Sequence, residues 1–197
     1  MKKGLIILIV VVVILLLISR WFVGTRNGFV IKDEAVKTAW SQVENVYQRR
    51  ADLIPNLVET VKGVASFERE TFTAVTEARS KVNNINMEGV LDSPERFQQF
   101  QAAQGDLSGA LSRLMVVVEN YPQLRANQNF LNLQAQLEGT ENRITVERRR
   151  FNEASQAYNT AVRLFPGSII AGMSGFGQRA YFEAQEGAEE APQVEFD

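Results

Sequence analysis

Phe130, Leu137, Ile144, Phe151, Tyr158 and Phe165 recur at strict seven-residue intervals, with Leu133, Ala154 and Ala161 beside them. A repeat of that period puts one apolar stripe along a long helix, and such a stripe must be buried against another helix. The same 4,3 rhythm runs through Val36, Trp40, Val43, Tyr47, Ile54, Leu57, Val61 and Val64, interrupted only by Arg50. It returns in Phe97, Phe100, Gln104, Leu107, Leu111, Leu114, Val118 and Tyr121. Strand-like alternation is largely missing. The predicted fold is all-α, an elongated antiparallel four-helix bundle of long, coiled-coil-like helices packed at shallow angles. An aromatic stripe at this spacing is core, not a cofactor box.

Caps and breakers set the boundaries. Ser93-Pro94 reads as an N-cap followed by proline at the first helical position, Asn120-Tyr121-Pro122 as a break, and Phe165-Pro166-Gly167 as a stop. Asn83, Asn84, Asn86 and Gly89 make a polar connection. The heptad phase runs past Val64 to Val75, Ala78, Val82 and Ile85, which allows one long helix. Gly63 can end a helix, however, and Ser66 can cap a new one with Glu68 and Glu70 in its first turn. Height matching favours the break: helices over 30–63, 66–85, 94–119 and 122–165, with the middle two covering the upper half of the outer pair.

Before the bundle stands MKKGLIILIVVVVILLLISRWFVG. Leu5 to Ile18 is unbroken apolar sequence, and continuing to Val23 gives about 30 Å of helix, enough to span a bilayer. Arg20 can snorkel, while Trp21 and Phe22 suit the membrane interface. ISRWFVGTR offers no small-x-small cleavage site, which favours an uncleaved single-pass anchor over a signal peptide. Lipidation lacks a cysteine acceptor, and the second residue is Lys2. Basic residues are nearly balanced across the span, Lys2 and Lys3 against Arg20, Arg26, Lys32 and Lys37. The compact N-terminal cluster leans toward an extracytoplasmic bundle.

Composition removes much chemistry. The chain has neither cysteine nor histidine, so thiolate nucleophiles, Cys/His zinc sites, imidazole haem ligation and the Ser-His-Asp relay are excluded. No cofactor, metal or catalytic residue is expected. Residues 21–179 carry 18 Lys/Arg against 17 Asp/Glu, a mixed solvated surface and not a nucleic-acid face. The run Arg148-Arg149-Arg150 fans over about 200° of helix surface and reads as a solvated face.

Arg49-Arg50-Ala51-Asp52-Leu53-Ile54-Pro55-Asn56-Leu57 stands out within good helix sequence. Pro55 has no N–H, so the Ala51 carbonyl loses its helical donor and a bend is expected. The freed carbonyl needs water or a side-chain donor, and neighbouring Arg and Asn are suitable. Arg50 occupies a seam position, which is costly unless paired. Height matching places residues 138–142 opposite it, so Glu138 or Glu141 is the predicted partner. Arg49 and Asp52 can face outward as a docking surface.

LFPGSIIAGMSGFG, residues 164–177, is apolar and reads as unsuited to helix because of its four glycines and proline. The returning helix should end near the bilayer, so this segment is either a coil docked on the bundle base or a membrane-contacting or self-associating element. Phe165, Ile169, Ile170, Met173 and Phe176 are its candidate interface residues. It is not a phosphate loop, since no Gly-Lys-Ser/Thr follows the glycines. The predicted divisions are an anchor over 1–24, a bundle over 25–166, a Gly-rich apolar segment over 167–182 and an acidic disordered tail over 183–197.

ENVYQRRADLIPNLVETVKG, the ARS of residues 78–80, YPQLRANQNFLNLQAQLEGTENRI, RRFNEASQAYNTAVRLFP and AYFEA together resemble the LemA family, in order, over nearly all of residues 25–185. The resemblance implies a bacterial protein with one N-terminal transmembrane helix, a helical-bundle domain and no established enzymatic activity. It also implies likeness to a magnetosome-membrane component, and genes that tend to lie near those of membrane proteases or TPM-domain proteins.

The expectation is therefore a non-enzymatic scaffold or interaction module of the bacterial envelope, homo-oligomeric, touching the lipid bilayer and able to organise it. An adaptor for a membrane protease or TPM-domain protein is the alternative. A carboxylate-dependent enzyme lacks a convergent constellation, and a secreted binding protein requires a cleaved N-terminus.

Overall fold

The computed structural model describes residues 2–63 and 68–183. Among them every regular element is helical: α1 (Lys2–Lys62), α2 (Arg69–Asn83), a 3-10 turn (Val90–Asp92), α3 (Pro94–Glu119), α4 (Pro122–Arg125), α5 (Gln128–Arg163) and α6 (Gly167–Ser174). The long helices α1, α2, α3 and α5 form the bundle. Its apolar seams meet in two stacked cores.

The lower core, nearer the N-terminal span, joins Phe29, Val36, Trp40, Val43 and Tyr47 of α1 to Ile144, Phe151, Tyr158 and Val162 of α5, with Phe97 and Phe100 from α3. It is built largely of rings. Trp40 lies 5.2–6.1 Å from the centroids of Phe100, Phe151, Phe97 and Phe182, spacings at which aromatic pairs add about 0.5–1.5 kcal/mol each beyond burial. The upper core joins Ile54, Leu57 and Val61 to Phe72 and Val75 of α2, Leu107 and Leu114 of α3, and Phe130 and Leu137 of α5.

The break between the first two bundle helices falls after Lys62, and α2 begins at Arg69. Val64 and the proposed cap Ser66 lie outside the described residues, as does the tail from residue 184 on. At α3 the Ser93 hydroxyl accepts from the Arg96 N–H at 3.3 Å ahead of Pro94, as its sequence predicts.

Three expectations need correction. First, the last bundle helix does not begin at Pro122. Pro122–Arg125 makes a single turn, and the Asn127 side chain then accepts the Asn129 and Phe130 N–H groups at 2.9 and 3.2 Å, capping a new helix. Leu124, fully buried, plugs the upper core at that corner. Second, residues 167–174 are helical despite their glycines. Burial of Ile170 and Ala171 against the lower core offsets the glycine entropy, and Gly175 ends the helix at φ 75°. Third, the segment beyond residue 166 is part of the bundle: Ile170, Ala171 and Phe182 are lower-core residues.

Residues 176–183 run as a strap along that core. Arg179 is its clasp, with Nε and Nη2 on Asp33 at 3.0 and 2.7 Å and Nη1 on Asp92 at 2.7 Å and the Leu91 carbonyl at 2.9 Å. The Asn159 side chain pairs with both the N–H and the carbonyl of Arg179, each at 2.8 Å. Asn152 repeats that pairing with Phe182 at 2.9 Å. Thus two asparagines of α5, one turn-pair apart, treat the strap as a hydrogen-bonded edge.

One feature of α1 matters most for position. The apolar span and the bundle helix are a single unbroken helix, with no proline or cap between Val23 and Val36. Gly24 and Gly28 sit inside it in open space, and two such glycines cost only about 1 kcal/mol each.

Candidate functional site

Arg50 falls between the two cores, and so do its partners. On α1 it separates Tyr47 from Ile54; on α3 Gln104 separates Phe100 from Leu107; on α5 Glu141 lies between Leu137 and Ile144. One polar layer therefore interrupts the seams of α1 and α3 at one height, and Glu141, 54% exposed, reaches it from the edge of α5 beside the buried Thr140. Arg50 is 2% exposed, the largest fully buried side chain described.

Its guanidinium is held from two other helices. Nη1 donates to Ser108 Oγ at 2.8 Å and to Glu141 Oε2 at 3.0 Å; Nη2 donates to the Gln104 carbonyl at 3.3 Å and to Gln104 Oε1. The Tyr47 ring lies 5.1 Å from the guanidinium carbon, a cation–π contact. Burial pushes the Tyr47 phenol above its ordinary value, with Arg148 and Arg50 pulling partly back, so it stays neutral near pH 7.

The fourth helix enters through Pro55. The Ala51 carbonyl, which loses its helical donor to the proline, accepts from Arg79 Nε of α2 at 2.9 Å. α1 continues through Pro55 without interruption. The arginine of the ARS block and the proline of the RRADLIPNLV block are thus two halves of one contact.

The structure brings Arg50 and Glu141 together. Glu138 is the correction: one turn earlier on α5, it faces solvent and accepts from Gln134 at 3.0 Å. Leu53, Ile54 and Leu57 face the core side, whereas Asn56 and Pro55 are exposed. Arg49 and Asp52 project outward, Asp52 bonded to Gln48 at 2.8 Å. Sequence reasoning missed Gln104, Ser108 and Arg79. Gln104 had a signal, being the polar residue in an otherwise apolar seam.

A cleft of about 730 Å³ opens over the polar layer, between α3, α5 and the strap, with Gln101, Ser108, Glu141, Arg148 and Tyr181 on its walls. Chemically the layer can act as a register lock: a buried guanidinium fork whose Nη acceptors come from two other helices ties their heights to that of α1. Among the described residues there is no cluster of Asp and Glu able to hold a metal.

At the base, Arg20 and Trp21 are exposed on the span and Phe22 is half-buried against the lower core. Phe165, Ile169 and Met173 are 81, 55 and 75% exposed. Besides Phe22, two more of the expected interface residues are packed on the bundle. Ile170 is buried, because it lies about 100° around α6 from Ile169, on the side toward the bundle, and Phe176 stacks edge-on against Phe29 at 5.5 Å.

The chain is 27% identical over 173 residues to the magnetosome protein MamQ of Magnetospirillum gryphiswaldense, covering 79% of this chain and 64% of the relative. It is 28% identical over 174 residues to the magnetosome protein MamQ 2 of Paramagnetospirillum magneticum, covering 80% and 64%. Against protein LemA of Metamycoplasma hominis it is 25% identical over 166 residues, covering 84% and 72%. The chain thus spans a little under two thirds of the length of the MamQ relatives. One helix among the described residues, α1, is long and apolar enough to cross a membrane. The match to the LemA family extends over residues 39–196, which includes the polar layer, Pro55 and Arg79, and the chain belongs to the LemA family.

Proposed function

We propose that this chain is a single-pass membrane protein whose bundle stands on the outer side of the bacterial cell membrane as a non-enzymatic, self-assembling scaffold. The continuity of α1 carries the reading: an apolar span rigidly joined to a bundle holds whatever binds the bundle at a set height above the lipid. Likeness to proteins named for the magnetosome supports an organising role over a chemical one. Arg49 and Asp52, exposed beside the polar layer, and the cleft above Arg50 are the surfaces offered to partners, a membrane protease or TPM-domain protein among them. A rigid polar layer suits this work, since it keeps those surfaces in fixed register.

The test is to extract the full chain in mild detergent, sequence its N-terminus and measure its size. An intact N-terminus and one discrete assembly of several copies are expected. A monomer in every detergent overturns self-assembly, and a cleaved N-terminus overturns the anchor.

A further inference from the structure

We infer that the bundle base is a second membrane contact, in which the exposed side of α6 lies in the lipid interface beside the chain's own anchor. The inference rests on the anchored reading above and adds a lipid surface to it.

Three observations converge. α6 is apolar on both faces. Gly167, Ile170 and Ala171 close onto the bundle, and a Cβ at Gly167 would fall 2.9 Å from the Ala161 carbonyl oxygen and 3.2 Å from Phe29. On the opposite face Ile169 and Met173, at i and i+4, are exposed, and Leu164 and Phe165 just ahead of the helix are exposed at 61 and 81%. Four large exposed apolar side chains within residues 164–173 need a partner.

The height of these residues says which partner. α6 packs at the level of Phe29, and Phe22, which the span carries at its interface end, already touches the lower core. Phe29 lies about 9 Å along the helix from Val23, at the outer edge of the headgroup layer of a bilayer spanned by residues 5–23. Because α1 is unbroken there, these residues have a fixed height above the lipid.

Charge agrees. Arg20, Arg26 and Lys32 on α1 and Arg163 at the end of α5 are exposed, and none makes an ion pair with a described residue. No Asp or Glu occurs in residues 1–32. Exposed apolar residues at the end of the bundle that also carries these cations match an anionic lipid surface, where lipid phosphates meet the cations and acyl chains meet the apolar side chains. A second copy presenting the same residues would instead bring these cations together.

The cysteine-free chain permits a direct test. Full-length Met173→Cys, Val13→Cys and Ser112→Cys proteins, each carrying an environment-sensitive fluorophore, are reconstituted into phosphatidylglycerol-containing vesicles. Nitroxide-bearing lipids then report contact. The expected result is loss of most fluorescence at 13 and at 173, with none at 112, and loss of the quenching at 173 when Phe165→Asp and Ile169→Asp are added. Quenching at 13 without quenching at 173 overturns the inference and leaves the anchor intact. Cross-linking of 173 between copies, with no quenching by lipid, overturns it in favour of a protein contact. Absence of quenching at 13 overturns the anchored reading and this inference with it.

Discussion

Arg50 and Glu141 form one ion pair, yet their environments are unequal: the Arg50 side chain is 2% exposed and that of Glu141 54%. Removing the arginine takes a long stem out of the packing and leaves Gln104 acceptors unsatisfied inside, whereas the carboxylate can be lost to water at little expense. Arg50→Ala is expected to destabilise the full chain by about 2–3 kcal/mol, and Glu141→Gln by under about 1 kcal/mol. Thermal unfolding in detergent, followed by circular dichroism, checks the asymmetry; equal losses would mean that the carboxylate, not the buried fork, holds the layer. The proline contact gives a second prediction. Arg79→Ala should cost about 1–2 kcal/mol by orphaning the Ala51 carbonyl. In a Pro55→Ala background, where residue 55 regains its N–H, that cost should fall by at least half. Strict additivity would show that Arg79 does not serve the proline. The need for a donor at Ala51 was legible in the sequence from Pro55 alone. That the donor would be Arg79 was not, because one-dimensional spacing does not say which helix faces a given carbonyl.

Among the elements, α6 and the strap are held by close approach and by hydrogen bonds, and both can be released singly. Gly167→Ala should destabilise the base by about 1–3 kcal/mol through overpacking against the Ala161 carbonyl, with faster hydrogen exchange over residues 168–174. Gly139→Ala, on α5 with open space around it, should instead stabilise by about 0.5–1 kcal/mol. The strap has a pH signature. Burial alone would raise the Asp33 carboxyl, but hydrogen bonds and charges from Arg179 and Lys37 more than offset it, holding the carboxyl below its ordinary value of 3.8. A lowered folded value means that the clasp's contribution is complete above that ordinary value and is lost as pH falls through the lowered one. Hydrogen exchange of 176–183 should therefore show no step from this pair between about pH 5 and 8 and a rise in stronger acid. Asp33→Asn should abolish the acid step. Helix boundaries with caps, such as Ser93-Pro94, were legible. The short turn before Asn127 was hidden because the apolar phase of α5 runs through it, and α6 was hidden because its glycines are overridden by burial that only the folded base supplies.

For the whole molecule, the seven-residue seams were enough to specify an all-α bundle, since no other packing buries stripes of that period. Height matching of the helices also located the polar layer, because antiparallel partners of known length have little freedom to slide. What it left out was the lower half, where α2 does not reach. The strap and the Val90–Asp92 turn fill that volume, and their sequence is too short and aperiodic to announce it. The same reading divided anchor from bundle, yet α1 runs unbroken from Lys2 to Lys62. In the proposed membrane setting that continuity makes the bundle a rigid extension of its anchor and sets the height of its base. It is tested most directly by spin labels at Val13→Cys, inside the span, and Gln42→Cys, on the exposed face of the bundle helix. In the full chain reconstituted in vesicles, electron–electron double resonance should give one narrow distance near 44 Å, the rise of 29 helical residues. A broad distribution reaching well below that distance would place a hinge at the membrane surface and contradict the account.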